Sequence, residues 1–347
     1  MVGTPSWSNA ATRRRAPLLV ALPVLAALTV SGCTGVSGAT GDGDAPAAQA
    51  TAPGLTVAGR WPLTGAPAQG RTPRHPVLVV KIDNSENSRP QVGLREADLV
   101  TEELVEGGST RLAVFYYQRL PDLVGPVRSM RATDIGIVKP ARAVLVASGG
   151  APPTVRRVKA AGIPTVLEGA TGYQRDPSRQ APYNLFMELP QLAATVRAED
   201  TVPSYLPFGS ADDLPQGRPA VGLSAVFSGG HTTSWTYEGG RSGTYTNDNG
   251  YAAPGDEFRP DTVLVLRVPV RDAGYLDPAG NRVPETAFTG SGEALLFHGG
   301  RVVRGTWKKS LDSTISLSTD SGELTVPAGH TWVELVPRNG GRVVVRR

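Results

Sequence analysis

The residues best suited to chemistry are acids and arginines crowded between positions 102 and 131. Carboxylates can act as general acids or bases, and guanidinium groups bind carboxylate or phosphate through paired hydrogen bonds. Apolar runs at 99–105 and 112–117 separate these charges, so we expect them at strand ends or on one face of a buried core. The candidate site residues in this stretch are Glu102, Glu106, Thr110, Arg111, Arg128, Ser129 and Arg131.

Four arginines suggest an anion clamp. Arg128 and Arg131 follow the rigid pair Gly125-Pro126, and their spacing directs both to one side if Ser129 opens a helix. A second pair, Arg175 and Arg179, flanks the loop 175–179 and can complete the clamp. Alternatively, Arg175 and Arg179 are ordinary surface arginines that bind no ligand. We extend the predicted ligand site to Asp83, Asn84, Arg89, Ser148, Gly149, Arg175, Arg179 and Asn184.

Ser148-Gly149-Gly150 precedes a predicted helix and can offer main-chain N–H groups to an anion. The same residues are typical of tight strand-to-helix turns, where they serve geometry alone. Both interpretations stay open from the sequence.

Glu102 and Glu106 are four residues apart in a predicted strand over 98–106, which places them on one face. The separation of their Cα atoms is then roughly 13 Å at about 3.3 Å per residue. Glycosidase carboxyl pairs stand only about 5 to 9.5 Å apart. We therefore expect these acids either to pair with Arg111, Arg128 or Arg131 or to face a ligand.

Common catalytic signatures are absent from the sequence. It contains no Gly-x-Ser-x-Gly elbow, no Ser-x-x-Lys motif, no Walker loop and no Gly-x-Gly-x-x-Gly after a strand. Four histidines, at 75, 231, 298 and 330, have no metal-ligand spacing. We therefore expect no metal and no cofactor, and the sequence assigns no catalytic residue.

Residues 1–32 are typical of a lipoprotein signal peptide. Arg13, Arg14 and Arg15 precede an uncharged run over 16–30, and small residues lead directly to Cys33. A transmembrane helix is the alternative, but about 15 apolar residues fall short of the roughly 20 needed to span a bilayer. Lipidation of Cys33 predicts a protein anchored on the outer, extracytoplasmic face of the cell membrane. Residues 33–74 then form a flexible tether, in which only 61–65 is apolar enough to dock on the fold.

The basic balance of the chain does not predict nucleic-acid binding. Loss of the signal peptide removes three arginines and no acid, which lowers the net charge from +4 to +1. Basic patches of nucleic-acid-binding proteins need far more excess charge. The predicted partners are the membrane through Cys33 and a polymer or protein of the cell envelope.

The hydrophobic pattern predicts two domains of the α+β or α/β class. Residues 75–205 favour a mixed-sheet α/β domain with strands at 77–82, 98–106, 111–118, 143–147 and 165–167 and helices at 90–97, 132–138, 152–161 and 188–198. Residues 220–338 favour a mainly antiparallel β domain, with strands at 225–227, 232–237, 241–245, 262–270, 294–298, 301–307, 314–317 and 331–336. Gly-Gly pairs at 229, 239 and 299 lie where hairpin turns are needed.

Several motifs of the sequence resemble one family in order. In the first half they are Lys81-Ile82-Asp83-Asn84, Arg89-Pro90-Gln91, Leu104-Val105-Glu106-Gly107-Gly108, Thr110-Arg111, Gly125-Pro126-Val127-Arg128-Ser129, Ser148-Gly149-Gly150 and Arg179-x-Ala181-Pro182-x-Asn184. In the second half they are Gly290-x-Gly292, Trp307-Lys308-Lys309 and Pro327-Ala328-Gly329-x-Thr331-Trp332. The chain thereby resembles the DUF3048 family, the YerB-like group of bacterial lipoproteins.

The resemblance implies an α/β domain followed by a β-rich domain, and it implies no agreed reaction. It also implies a histidine before Asn184, where this chain has Tyr183, so a proton-shuttling imidazole is missing there. A tyrosine, arginine, histidine and aspartate set that the resemblance implies for the second domain is poorly matched around 245–251.

Our leading hypothesis from the sequence is a non-catalytic lipoprotein that binds an envelope component through an arginine-bearing cleft. The alternative is a hydrolase of cell-wall glycan or peptide that uses Glu102, Glu106 or Asp83 as acid or base. A third reading is a scaffold whose β domain, over 225–337, docks another envelope protein.

Overall fold

The computed structural model describes residues 59–70, 72–198, 201–240, 243–277 and 280–347. The predicted signal peptide, Cys33 and most of the predicted tether lie outside these residues. Within the described ranges, no helix is both long and apolar enough to cross a membrane. Residues 61–65 dock on the fold as predicted. Leu63 is buried in the core, and the ring of Trp61 meets that of Tyr117 edge-on at 6.1 Å between centroids.

The first half of the chain contains short helices between buried strands. Strand β1 is buried along its whole length, as the near-continuous apolar run predicts for a central strand. The elements in chain order are β1 (Leu78–Asn84), β2 (Leu99–Leu104), β3 (Thr110–Tyr116), α1 (Asp134–Val138), β4 (Val144–Ala147), α2 (Pro152–Ala160), β5 (Thr165–Leu167), β6 (Tyr173–Arg175), β7 (Leu185–Met187) and α3 (Leu189–Ala193).

The second half of the described chain is built from strands. In chain order they are β8 (Phe208–Gly209), β9 (Arg218–Pro219), β10 (Gly222–Val226), β11 (Thr232–Glu238), β12 (Thr244–Asn247), β13 (Thr262–Val268), β14 (Val270–Leu276), β15 (Arg282–Thr286), β16 (Gly290–His298), β17 (Arg301–Lys309), β18 (Ser316–Thr319), β19 (Gly322–Glu323), β20 (Val326–Pro327), β21 (Thr331–Pro337) and β22 (Arg342–Arg346). The three Gly-Gly pairs lie in the hairpin turns β10–β11, β11–β12 and β16–β17, as predicted.

One mixed sheet runs through both halves of the chain. Its strand order is β19-β18-β17-β16-β13-β21-β2-β3-β1-β4-β5, and β9 pairs with β17 at the side. Strand β21 lies between β13 and β2 and is parallel to both. The β2–β21 pair therefore joins the two halves through main-chain hydrogen bonds.

Two layers cover this sheet. On one face, α1, α2 and residues 202–208 bury an apolar cluster that includes Val79, Phe115 and Leu145. On the other face, the small antiparallel sheet β12-β11-β10-β22 packs its Trp235 against Trp332 of β21, with ring centroids 4.9 Å apart. Both faces of the central strands are consequently buried.

Two predicted helices are wrong in extent. Over 90–97 only the 3-10 turn Leu94–Glu96 forms, because Gly93 adopts the left-handed φ of 88° just before it. Helix α3 ends at Ala193, because the N–H and the hydroxyl of Thr195 both return to the carbonyl of Leu192. The pattern also missed β15 and β22, which are only five residues long; β22 alternates between exposed and half-buried residues and has no buried one.

Candidate functional site

Strands β1, β3 and β2 sort the predicted site residues onto two faces of the sheet. Asp83 of β1 is the register partner of Arg111 of β3. The next partners, Asn84 and Thr110, point to the opposite face, where both contact Glu102 of β2. A step of one residue therefore separates two polar clusters that the sequence analysis treats as one site.

The first face carries five charged side chains, which we call the arginine cluster: Asp83, Glu106, Arg111, Arg128 and Arg131. Glu106 is at its centre. Arg131 donates to both carboxylate oxygens of Glu106, with 2.8 Å between Nε and Oε2, and Nη2 of Arg111 lies 3.3 Å from Oε1. The carboxylate of Glu106 therefore holds together two guanidinium groups that repel each other.

Arg128 forms the outer edge of the arginine cluster. Its Nε lies 3.0 Å from Oδ2 of Asp83, and its Nη1 donates to the carbonyl of Pro182 at 3.2 Å. Its guanidinium carbon stands 5.2 Å from the ring centroid of Tyr183, which is within cation–π range. The side chain of Arg128 is 19% exposed, the largest fraction in the cluster. A ligand from solvent therefore meets Arg128 first.

The arginine cluster has one positive charge in excess, because three guanidinium groups face two carboxylates. Burial, reinforced by the nearby charge of Arg131, lowers the pKa of Arg111 to about 10. Burial alone would raise the pKa of Glu106, but the hydrogen bonds and charges of Arg131 and Arg111 hold it below its usual value. The same pairing with Glu106 raises the pKa of Arg131 despite its burial, so Glu106 and Arg131 stabilise each other's charged forms.

Ser129 and Ser148 border the arginine cluster. Their Oγ atoms are 3.3 Å apart, and the carbonyl of Ser129 accepts a hydrogen bond from Nη1 of Arg111 at 2.8 Å. Both serines and Gly149 are half-buried. A Cβ atom placed on Gly149 would meet nothing within 4 Å, so there is open space beside this turn.

A fully buried ion triad lies deeper on the same face. Nζ of Lys81 is 2.6 Å from Oε1 of Glu103 and 2.8 Å from Oδ1 of Asp134, and none of the three side chains is exposed. Burial, which outweighs the attraction of Lys81, raises the pKa of Glu103. The triad anchors β1 and β2 to α1, which begins with Asp134, and it supports the turn that carries Arg131.

The second face carries the glutamate cluster: Asn84, Glu102, Thr110, His231, Thr233 and Glu334. Glu102 is fully buried and accepts hydrogen bonds from Asn84 at 3.0 Å, from Thr110 at 2.7 Å and from Thr233 at 2.9 Å. Nε2 of His231 also lies 2.9 Å from Oε1 of Glu102. Although burial raises it, these contacts leave the pKa of Glu102 below its usual value.

Glu334 is the register partner of Glu102 across the β2–β21 pair. Burial and the neighbouring charge of Glu102 raise the pKa of Glu334 well above its usual value. This shift favours the protonated form of Glu334, whose Oε1 accepts a hydrogen bond from Nε1 of Trp235 at 2.7 Å. The opposite pKa shifts of the two acids thus favour a charged Glu102 beside an uncharged Glu334.

The prediction that Glu102 and Glu106 share a strand face is wrong. Strand β2 ends at Leu104, and Glu106 lies in the 3-10 turn Glu106–Gly108, in which Gly107 adopts the left-handed φ of 69°. The chain leaves the strand before the two-residue period reaches Glu106. Glu106 pairs with arginines as one alternative predicted, whereas Glu102 pairs with residues of the other face.

The remaining arginine candidates, Arg89 and Arg179 in loops and Arg175 at the end of β6, each have their own partners. Arg175 contacts Glu168 and Asn184, and Arg179 donates to the carbonyls of Ser88, Arg89 and Pro90. The guanidinium of Arg89 stacks on Tyr251 at 4.7 Å. Among the described contacts, neither Arg175 nor Arg179 touches Arg128 or Arg131, so the four arginines do not form one clamp.

Sequence reasoning missed Lys81, Glu103, Asp134, His231 and Glu334 as parts of polar clusters. The available signal was a charge inside an apolar run: Lys81 interrupts the run 77–82, and Glu334 interrupts 331–336. Charges in such places need buried partners. Within the described residues, no three His, Cys, Asp or Glu side chains are grouped to hold a metal ion.

Comparison with known proteins identifies the family. The models for the N-terminal and C-terminal domains of the "Protein of unknown function (DUF3048)" match residues 63–202 and 223–333. The chain belongs to the DUF3048 family. The resemblance seen in the sequence motifs is thereby confirmed.

Relatives of the chain agree with this assignment. A Bacillus subtilis (strain 168) protein named "Putative lipoprotein YerB" is 25% identical over 292 residues, which cover 80% of this chain and 86% of that protein. The crystal structure of YerB from Bacillus subtilis matches with a TM-score of 0.69 at 20% identity, over 82% of this chain and 99% of that chain. The predicted fold class, with a mixed-sheet first part and a mainly antiparallel second part, is confirmed.

Proposed function

We propose that this DUF3048 protein is a lipoprotein, anchored through Cys33 on the outer face of the membrane, that binds an anionic group of an envelope component at the arginine cluster. The signal-like residues 1–32 and the name of the YerB relative support the anchor. The observation that carries the binding site is the excess guanidinium at an edge that is still partly exposed.

Within the proposed site, Arg128 is the outermost cation. Ser129 and Ser148 supply hydroxyl groups next to it, and the open space at Gly149 gives room for a ligand group. An entering phosphate or carboxylate would bind the guanidinium through paired hydrogen bonds. It would also reduce the repulsion among Arg111, Arg128 and Arg131, which the two carboxylates leave partly uncompensated.

The contacts favour binding over hydrolysis. A general base needs an accessible carboxylate, whereas Glu102 is fully buried and Asp83 and Glu106 are paired with arginines. No contact among the described residues favours Glu102, Glu106 or Asp83 as a catalytic acid. The arginine cluster therefore supports a binding module best.

The proposal is tested with the full-length lipoprotein in detergent micelles and purified cell walls. Untreated walls should co-sediment the protein, and walls stripped of phosphate-bearing polymers by acid should not. Arg128→Ala should weaken binding about tenfold, since a charge-assisted hydrogen-bonded pair is lost. The matched control is Arg304→Ala, because Arg304 is an exposed arginine paired with Glu293 on distant strands.

Circular dichroism of each variant establishes that the fold is retained. The proposal fails if folded Arg128→Ala co-sediments as the wild type does. If stripped walls bind as well as untreated walls, the bound group is a carboxylate that remains on the wall and not a phosphate.

A further inference from the structure

A cavity of about 380 Å³ lies where the hairpin β14–β15 meets α1 and α2. This volume falls within the range of roughly 300–1,000 Å³ that is typical of small-molecule sites. Apolar side chains form much of its wall, including Ile135, Phe288 and Leu311. Leu311 is 44% exposed, whereas most large apolar residues that the structure describes are buried. The cavity therefore offers an apolar surface that is open to solvent.

Two arginines and one glutamate give the same cavity an excess of positive charge. Arg157 donates to both carboxylate oxygens of Glu285, at 2.6 and 2.8 Å, and Arg271 donates to Oε1 at 2.7 Å. Although burial raises it, these bonds hold the pKa of Glu285 below its usual value. The Glu285 side chain is only 7% exposed, while those of Arg157 and Arg271 are 41% and 63% exposed. Glu285 is thus buried beneath two guanidinium groups that are themselves partly exposed to solvent.

Thr286 and Thr133 close the inner side of the cavity. Thr286 is 2% exposed, and its main-chain N–H donates to Oγ1 of Thr133, another wall residue, at 3.1 Å. The Oγ1 atom of Thr286 is itself buried, so the polar groups that a ligand meets are the two guanidinium groups.

We infer that this cavity is a binding site for an amphipathic anion, meaning a phosphate or carboxylate joined to a compact apolar group. The apolar group would pack on Phe288 and Leu311, and the anion would bind Arg157 and Arg271. This combination uses the apolar wall and the excess charge together.

The test titrates phenyl phosphate into the full-length lipoprotein in phosphatidylcholine nanodiscs and follows the heat of binding. Phenyl phosphate should bind saturably and about tenfold more tightly than inorganic phosphate, because it buries an apolar ring. Arg271→Ala should weaken binding about tenfold. The matched control is Arg282→Ala, which removes an exposed arginine of the same hairpin that pairs with Asp272.

Circular dichroism of Arg271→Ala establishes that its fold is retained. The inference is overturned if wild type shows no saturable binding, or if folded Arg271→Ala binds as wild type does. It is also overturned if inorganic phosphate binds equally well.

Two further measurements identify the source of the ligand and isolate this site. Phosphatidylglycerol in the nanodiscs should compete with phenyl phosphate if a lipid headgroup is the natural ligand, and it should have no effect if the ligand is soluble. Either result keeps the site, since saturable binding is its criterion. Repeating the titration in the Arg128→Ala background removes the proposed anion site of the arginine cluster. Saturable binding that persists there and is weakened by Arg271→Ala belongs to this cavity, so failure of the arginine cluster as a site leaves this inference standing.

Discussion

The two faces of β1, β3 and β2 carry polar clusters that begin one residue apart and differ in charge and access. The arginine cluster has a positive charge in excess and keeps Arg128 partly exposed. The glutamate cluster contains two acids and is buried beneath β10 and β11, where the raised pKa of Glu334 disfavours a second negative charge beside Glu102. Alternation along a strand is enough to produce both environments from one sequence motif.

The contrast indicates that the glutamate cluster supports the fold and that the arginine cluster is available for binding. The glutamate cluster ties the first half of the chain to His231 and Thr233 of the second half, so it supports the fold. The arginine cluster combines Asp83 and Arg111, near the ends of β1 and β3, with Glu106, Arg128 and Arg131 from the connecting segments, and a ligand can reach it at the partly exposed Arg128. Variants on each face should therefore separate stability from binding.

The largest expected effect concerns the deep triad on the arginine face. Lys81→Met should lower the free energy of unfolding by about 3–5 kcal/mol, because it leaves Glu103 and Asp134 buried without a cation. Glu103→Gln is the control and should cost less than about 1 kcal/mol, since Lys81 and Asp134 then balance. Urea unfolding measures both. Equal losses would show that charge balance does not govern this site.

The next effect concerns the glutamate face. Glu102→Gln should lower the free energy of unfolding by about 2 kcal/mol, because its new NH₂ group faces the donors Asn84, Thr110 and Thr233. The same variant should co-sediment with cell walls as the wild type does. Loss of wall binding with an unchanged urea midpoint would place ligand recognition on the glutamate face instead.

A pH profile tests the proton on Glu334. Its pKa is raised in the folded protein, so the folded state holds this proton more tightly than the unfolded state. The stabilisation is complete below the ordinary value of 4.5 and declines as pH rises toward the raised pKa, by up to about 1.4 kcal/mol per pH unit. Glu334→Gln should lack this decline in urea unfolding measured between about pH 5 and pH 8. An identical slope in the variant would exclude Glu334 as its source.

The smallest expected effect is the stability change of Arg128→Ala. A partly exposed ion pair contributes about 0–1 kcal/mol, so the urea midpoint should shift only slightly. The wall-binding loss described above should therefore appear without unfolding. A loss of several kcal/mol would make Arg128 a structural residue like Lys81.

The sequence predicts the strands well wherever apolar runs are continuous, as in β1, β3 and β13. Pairing of Glu106 with arginines is one of the two alternatives that the sequence leaves open, and the structure shows it with Arg111, across the β2–β3 turn, and with Arg131, just before α1. The sequence does not reveal that Glu102 meets His231 and Glu334, since that contact depends on β21 pairing with β2 at a separation of more than 200 residues. A single sequence carries no local signal for such a pairing.

The insertion of β21 between β13 and β2 has a practical consequence for dissecting this protein. Residues 63–202 and 223–333 match separate domain models, yet each of them, produced alone, would lack its partner strand in the β2–β21 pair. A fragment ending near residue 202 would expose the free main-chain groups of β2, and the complementary fragment would expose those of β21. Such open edges invite aggregation, so the two pieces should regain solubility when co-expressed.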